Sequence, residues 1–148
     1  MSEIPQGVLE TFRQTIADKL SGNEQFSGVP VFTEKQKNIE SEIETALGTL
    51  SCGVCIIIIA PLANVTKPNL PGPYFGDVTI IVRAVENVLI NQGEEGTKKT
   101  VSFLAERIAS VLHRLVINGK AVTCQKIQLV PDQTNLIYDV TFKTNFGL

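Results

Sequence analysis

The fold is decided by residues 77–115, in which DVTIIVRAVENVLIN (77–91) is followed by QGEEG (92–96) and TKKTVSFLAERIASVLHRL (97–115). The first segment alternates in polarity, which predicts a half-buried β-strand. Its apolar face comprises Val78, Ile80, Val82, Ala84, Val88 and Ile90. The last segment predicts an amphipathic helix, because apolar residues recur every three or four positions, at Val101, Leu104, Ala105, Ile108, Val111, Leu112 and Leu115. We therefore expect a helix that packs back on the strand preceding it.

Three polar residues of this segment need their own interpretation. Glu86 lies on the apolar face of the strand, and a bulge that turns it outward is favoured over a buried acid. Thr97 is the predicted N-cap of the helix, since a threonine oxygen accepts from backbone N–H groups of the first turn. His113 falls late in the helix, where a surface or capping role is favoured over catalysis.

Upstream, the sequence predicts two helices and a short strand. Val8, Leu9, Phe12, Ile16 and Leu20 share one helical face, which begins near Pro5 and stops at Gly22. The strand at residues 29–32 contains Pro30, which favours a brief or edge position. A second helix follows, with Thr33 and Gln36 at the spacing of a capping box. Its buried face comprises Ile39, Ile43, Ala46, Leu47 and Leu50, with Gly48 near the end.

Residues 53–61, GVCIIIIAP, are apolar on both faces of the predicted strand. Such a strand needs two covers, which helices alone or helices and a second subunit could supply. Residues 62–76 contain Pro68, Pro71 and Pro73 and predict a long loop without regular pairing. Because long loops in compact domains are often functional, Leu70, Pro71, Tyr74 and Phe75 are the candidate interface residues.

Downstream of the helix, Asn118-Gly119 predicts a tight turn. Residues 121–130 form a strand with a bulge near Gln125, and residues 131–133 turn into a strand at 136–146 with one buried and one solvated face. The predicted order is α-β-α-β-β-α-β-β in a single domain, residues 1–148. We expect the α+β class, with a mixed, largely antiparallel sheet of about five strands and helices mainly on one face.

Composition argues against several classes of protein. The 148 residues carry 13 basic and 15 acidic side chains, a net charge of −2, which disfavours nucleic acid as a partner. The longest apolar run is too short to span a bilayer, and acidic residues near the start disfavour a secretory signal. We expect no membrane partner and synthesis in a reducing compartment, because three cysteines do not suggest a disulfide framework.

Cys52-Gly-Val-Cys55 is the motif that most suggests a chemical function. Paired thiols at this spacing can form a redox couple or half of a zinc site. The pair precedes an apolar strand rather than a helix, and no second pair completes four zinc ligands. Buried packing residues are therefore favoured over a thiol-redox or zinc-binding function. The glycines of residues 91–96 lack the spacing of a nucleotide-binding loop, and Glu94 and Glu95 would repel phosphate.

Several short segments resemble those of bacteriophage tail-terminator or tail-completion proteins. They comprise Glu86-Asn87, Asn91, Gly96-Thr97 and the helix ending Leu112-His113, together with Ile16-Ala-Asp-Lys-Leu20, the VPVF strand, Ile39-Glu-Ser-Glu-Ile43 and the apolar strand ending at Pro61. They occur in a similar order and cover most of the chain. The cysteine pair and the QGEEG segment have no counterpart in this resemblance.

The resemblance implies a structural phage assembly protein rather than an enzyme, with no catalytic, metal or cofactor-binding residue. Such a protein caps the head-proximal end of the tail tube, stops tube polymerisation and presents a surface for neck and head joining. Its implied partners are further copies of itself in a closed ring, by resemblance a hexamer, the tail tube protein, and a neck or head-completion protein. It would be assembled in the bacterial host cytoplasm and reside at the tail-neck junction of the virion. A ligand-binding α+β module is neither supported nor excluded by the residues.

Overall fold

The computed structural model describes residues 7–33, 43, 47, 53–66, 74–92, 99–117 and 119–147. The helices are α1 (Val8–Ser21), a 3-10 turn (Glu24–Phe26), α2 (Val88–Asn91) and α3 (Val101–Leu112). The strands are β1 (Val31–Thr33), β2 (Val54–Thr66), β3 (Tyr74–Glu86), β4 (Val116–Ile117), β5 (Lys120–Ala121), β6 (Thr123–Val130) and β7 (Leu136–Gly147).

Five of these strands form a mixed sheet in the order β1-β2-β3-β7-β6. β1 is parallel to β2, and the other neighbouring pairs are antiparallel. β4 and β5 form a separate small hairpin. The predicted α+β class and mixed sheet are confirmed, and the short strand containing Phe32 lies at the edge of the sheet as its proline predicted.

The main core lies between one face of the sheet and helices α1 and α3. α1 packs over β1 and β2, whereas α3 packs over β3, β7 and β6. The prediction that α3 packs on β3 is confirmed, because Leu104, Ile108 and Leu112 are fully buried in the same cluster as Ile80 and Val82. Burial of each such side chain contributes about 1.5–3 kcal/mol before the loss of conformational entropy is subtracted.

α1 follows the predicted apolar face closely. Phe12, Ile16 and Leu20 are fully buried, and Gly22 at the C-cap donates its backbone N–H to the Asp18 carbonyl at 3.0 Å. The helix begins at Val8, with Gly7 as the N-cap residue. Pro5, the predicted start, lies outside the described residues.

A second, smaller core covers the opposite face of the sheet. Phe32, Cys55 and Val85 form it, and Ile43, Leu47, Ile57 and Ile137 pack against it. The Leu47 N–H donates to the Ile43 carbonyl at 3.0 Å, as expected within the predicted second helix, most of which lies outside the described residues. At Cys55 and Ile57, the second face of the apolar strand β2 is therefore covered by residues of the same chain.

The face of β7 predicted to be solvated is partly buried. Ile137 joins the second core, and Thr141 is buried although it lies on the face opposite Val140 and Phe142. The alternating pattern placed Val140 and Phe142 in the main core correctly. It did not predict the second core, because Ile137 falls on the face whose other residues, such as Asp139 and Lys143, are charged.

β3 ends earlier than its apolar pattern predicted. The strand stops at Glu86, and Asn87 begins a single helical turn by accepting the Ile90 N–H on its side-chain oxygen at 3.4 Å. The choice of Thr97 as N-cap of α3 was also wrong. Thr100 holds that position, and its Oγ1 accepts the Phe103 N–H at 3.2 Å, while Thr97 lies outside the described residues.

Residues 62–66 and 74–76 of the predicted loop belong to strands instead. β2 continues to Thr66 and β3 begins at Tyr74, with pairs such as Leu62↔Thr79 and Thr66↔Tyr74. Pro61 does not end the strand, because the register shifts between Ile59 and Leu62, and an irregularity of this kind tolerates a missing N–H. Pro68, Pro71 and Pro73 lie outside the described residues.

The turns after α3 follow the sequence signals. Gly119 has a φ of 77° between the paired residues Ile117 and Lys120, so the predicted tight turn is confirmed. The strand predicted over 121–130 is divided at Val122, and a register shift between Cys124 and Lys126 confirms the bulge near Gln125.

Candidate functional site around Glu86

Glu86 lies at the junction of β3, α2 and α3, and its carboxylate is buried. Oε1 accepts the backbone N–H of Val101 at 2.9 Å, and Oε2 accepts Nδ2 of Asn91 at 2.8 Å. The prediction of an outward bulge was wrong, since the pairing of β3 with β7 is regular from Val78 to Glu86. Regular alternation keeps the Glu86 side chain on the core face.

The negative charge of a carboxylate at this position is opposite to the partial positive charge at the start of α3. The N-terminus of a helix presents free N–H groups and partial positive charge, and Glu86 supplies an acceptor from a distant element. The Glu86–Val101 contact spans 15 residues along the sequence, so a local capping pattern could not have revealed it. The feature of the sequence that pointed to this contact was an acidic residue on the otherwise apolar face of a predicted strand.

Asn91 completes the junction from α2. Its side chain is fully buried, and Nδ2 also donates to the Lys99 carbonyl at 2.8 Å. Gly53 makes this approach possible, because a Cβ at that position would lie 2.5 Å from the Asn91 backbone nitrogen. Gly53 also has a φ of 77° and accepts the Asn87 N–H on its carbonyl at 2.8 Å. The four residues Gly53, Glu86, Asn91 and Val101 are called the Glu86 junction below.

Four exposed apolar residues lie next to the Glu86 junction in the sequence or in the register of the sheet. Leu136 is the cross-strand partner of Glu86, Val88 and Leu89 follow two and three residues after it, and Phe103 follows two residues after Val101. These four residues are called the apolar rim. All are more than a third exposed, and Leu89 reaches 87%. None of the four belongs to either of the two cores described above.

Arg107 lies one helical turn after Phe103 on α3. Its Cζ is 5.8 Å from the centre of the Phe103 ring, within the range of a cation–π interaction. Arg107 Nε is buried and has no hydrogen-bond acceptor within the part of the chain that the structure describes. The contact with the Phe103 ring is a non-covalent contact that the described residues provide for this guanidinium.

A bidentate ion pair lies on the opposite face of the sheet. Arg83 Nε and an Nη of Arg83 donate to the two carboxylate oxygens of Asp139, at 2.7 and 3.0 Å. The two residues are directly paired across β3 and β7. The alternation of polar and apolar residues predicted that both side chains lie on the face of the sheet away from the main core. The antiparallel register of β3 and β7 brings them together.

The structure describes the predicted interface residues only in part. Tyr74 and Phe75 are the first two residues of β3, paired with Gly147 and Phe146 of β7. Leu70 and Pro71 lie outside the described residues. These four positions therefore remain predicted interface residues.

The two cysteines of the predicted pair are not seen together. Cys55 is fully buried in the second core, and Cys52 lies outside the described residues. Among the described residues, no group of three or more His, Cys, Asp or Glu side chains could hold a metal ion. Cys124 is half-buried on β6, where burial raises the pKa of its thiol.

His113 occupies the capping position that the sequence favoured. It is the C-cap residue of α3, and its exposed ring accepts the Cys124 N–H on Nδ1 at 3.0 Å. This contact ties the end of α3 to the beginning of β6.

None of the described helices has both the length and the apolar composition needed to cross a membrane.

Comparison of the fold identifies solved chains of similar architecture, including the following two. One belongs to a structure of the virion of a native gene transfer agent particle, with a TM-score of 0.65 and 10% sequence identity over 97% of this chain and 100% of the other. A second solved protein has a TM-score of 0.57 and 13% sequence identity over 93% of this chain and 92% of the other. Neither a protein-family model nor a curated protein matches the sequence. At these identities the likeness shows a shared fold.

Proposed function

We propose that the protein is a structural component of a phage-like particle, which caps the head-proximal end of the tail tube, stops its polymerisation and presents a surface for neck and head joining. The observation that carries this proposal is the match to a chain of the gene transfer agent virion, which extends over 97% of this chain and the whole of the other. The resemblance of the sequence to tail-terminator proteins supports the same role and adds the position at the end of the tube.

The chemistry of the described residues supports a structural role rather than an enzymatic one. The buried acid Glu86 uses both carboxylate oxygens to join elements of the fold, and the buried Cys55 is packed among apolar side chains. These groups hold the architecture in place. A catalytic acid or nucleophile must instead reach a substrate.

By resemblance, the proposed assembly is a closed ring of six copies, bound to the tail tube protein on one side and to a neck or head-completion protein on the other. We assign Leu70, Pro71, Tyr74 and Phe75 to the contact with a neighbouring copy or with the tube. Tyr74 and Phe75 belong to the hairpin of β2 and β3, which extends beyond the three-residue pairing of β1 with β2.

Native mass measurement of the purified protein, alone and with the tail tube protein from the same particle, tests this proposal. The expected result is a single closed species of six copies, formed alone or on addition of the tube protein. A chain that stays monomeric and does not bind the tube in either condition would overturn the proposal.

Replacement of residues 67–73 by a Gly-Ser turn tests the hairpin separately, because this change retains the pairs from Leu62 to Thr66. The replacement should abolish ring formation or the capping of tubes.

A further inference from the structure

Exposed cationic side chains lie at the end of the sheet where α3 ends. The basic cluster comprises Arg114, Lys120, Lys126 and Lys143. The Arg114 N–H donates to the Val122 carbonyl at 2.6 Å. Lys143 pairs with Thr123 across β7 and β6. Lys120 and Lys126 lie three residues before and three residues after Thr123, and three strand residues span about 10 Å. These long side chains can therefore present their charges to one partner surface.

The basic cluster is not neutralised by the residues around it. Its side chains form no ion pair or hydrogen bond within the part of the chain that the structure describes. At this end of the sheet, the side chains of residues 61–66, 74–77 and 145–147 lie outside that part, and these segments contain a single acid, Asp77. Residues 67–73 add a cation, Lys67. An excess of positive charge therefore remains.

Local structure accounts for only part of the basic cluster. A cation is favoured at a helix C-terminus, which applies to Arg114, and a lysine on an edge strand hinders unwanted pairing, which applies to Lys126. Neither reason applies to Lys120 on β5 or to Lys143 on β7, which lies inside the sheet. Arg114 also has a φ of 68°, a conformation that glycine adopts at lower cost after a helix.

The rest of the chain carries the complementary charge. Without the basic cluster, nine of the 13 basic side chains remain against 15 acidic ones, an excess of six negative charges. Asp18 and Glu24 are exposed at and after the end of α1, which packs over β1 and β2 at the opposite side of the sheet from β6. Contacts in a ring join two different surfaces of identical chains. The basic cluster therefore complements the acidic surface of a neighbouring copy.

We propose that the basic cluster docks a neighbouring copy of this chain through exposed Asp and Glu side chains of that copy, as one side of a heterologous ring contact. This inference rests on the proposed function and assigns residues to the contact between copies. Lys143 lies three residues before Phe146, the partner of Phe75, so the basic cluster adjoins the hairpin already assigned to a contact. Side chains make this contact, because Lys126 and the bulge near Gln125 hinder addition of a strand to β6.

The protein concentration at which half of the chains are in rings tests the inference, in whichever condition of the native mass measurement yields rings. Lys120→Glu combined with Lys143→Glu should raise this concentration at least about tenfold, because like charges then meet at the contact. Lys19→Glu, at an exposed position on α1, is the matched control and should not raise it. For the wild type, an increase in salt from about 0.1 M to about 1 M should raise it, because screening shortens from about 10 to about 3 Å.

Arg114→Gly separates association from folding. Glycine adopts the φ of 68° without a side-chain clash, so this variant should unfold at the same temperature as the wild type or a higher one. It should nevertheless raise the half-assembly concentration about two- to fivefold, as expected for the loss of one exposed ion pair. Arg114→Lys keeps the charge and should assemble like the wild type.

Rings that form at the wild-type concentration in both the double charge reversal and Arg114→Gly would overturn this inference and leave the proposed function intact. A wild-type chain that forms no ring in either condition contradicts both.

Carbodiimide crosslinking identifies the occupant, because it joins a lysine amine to a carboxylate in direct contact. Rings are assembled with the tube protein from equal amounts of two isotopically different preparations of this chain, so that peptides joining two copies carry both labels. The expected result is a doubly labelled peptide that links Lys120, Lys126 or Lys143 to an Asp or Glu. Links from these lysines to the tube protein alone, or none to another copy, would overturn the inference.

Discussion

The backbone N–H of Val101 donates to Oε1 of Glu86 at 2.9 Å, which joins the first residue of α3 to the last residue of β3. The same carboxylate accepts from Asn91, so one buried side chain fixes the strand, the turn after it and the helix. This arrangement keeps an acid on the core face of an apolar strand.

Glu86→Ala should destabilise the fold strongly, because the Val101 N–H and the Asn91 amide lose their acceptor. Each buried donor left unsatisfied costs about 1–3 kcal/mol. Glu86→Gln should cost less, since one oxygen remains to accept a hydrogen bond. Urea unfolding measures both variants, with Glu106→Gln on the exposed face of α3 as the control, expected within about 0.5 kcal/mol of wild type. An unchanged midpoint for Glu86→Ala would show that the junction is not formed in solution.

Ile108→Ala should lower the free energy of unfolding by about 2–5 kcal/mol, because it creates a cavity between α3 and the sheet. Ile108 is fully buried in the main core. Val116→Ala removes apolar atoms from an exposed position and should change stability little. If the two substitutions have the same small effect in chemical denaturation, the helix does not pack as described.

Replacement of both Cys52 and Cys55 by serine should retain assembly at some cost in stability. Cys55 is buried among apolar side chains, where a hydroxyl is less favourable than a thiol. Particle incorporation and metal content measure the outcome, with Cys124→Ser as the control for loss of a thiol elsewhere. Stoichiometric zinc in the wild-type protein, lost in the double variant, would favour the metal-binding alternative.

Asp132 should make stability depend on pH in the acidic range. Its carboxylate accepts the N–H groups of Asn135 and Thr134, at 2.7 and 3.0 Å, and these bonds lower its pKa from the ordinary value of 3.8. A lowered pKa in the folded state stabilises the protein above the unfolded pKa, and this contribution is lost as pH falls through the folded value. Asp132→Asn should therefore be less stable than wild type at neutral pH and approach it below pH 3.8. A difference that does not vary with pH contradicts this assignment.

Periodicity was sufficient to predict the main core. Phe12, Ile16 and Leu20 on α1 and Leu104, Ile108 and Leu112 on α3 recur at helical spacing, and all six are buried. These positions are determined by the local geometry of the helix. The bulge near Gln125 was also predictable, because the apolar phase of the strand changes there.

The Glu86 junction and the β2–β3 hairpin could not be predicted in the same way. Glu86 is stabilised by Val101 and Asn91, which are brought together by the packing of three elements. In the hairpin, the register shift beside Pro61 allows the strand to continue where a proline normally ends it. Both features depend on contacts between distant residues, which periodicity does not report.

Tail length in particles made without this chain tests the central claim most directly. Deletion of its gene, followed by electron microscopy of the particles, should yield tail tubes of variable and excessive length that do not join heads. Complementation with the wild-type gene should restore a single tail length. Tails of normal, uniform length joined to heads in the deletion strain would contradict the claim that this protein caps the tube.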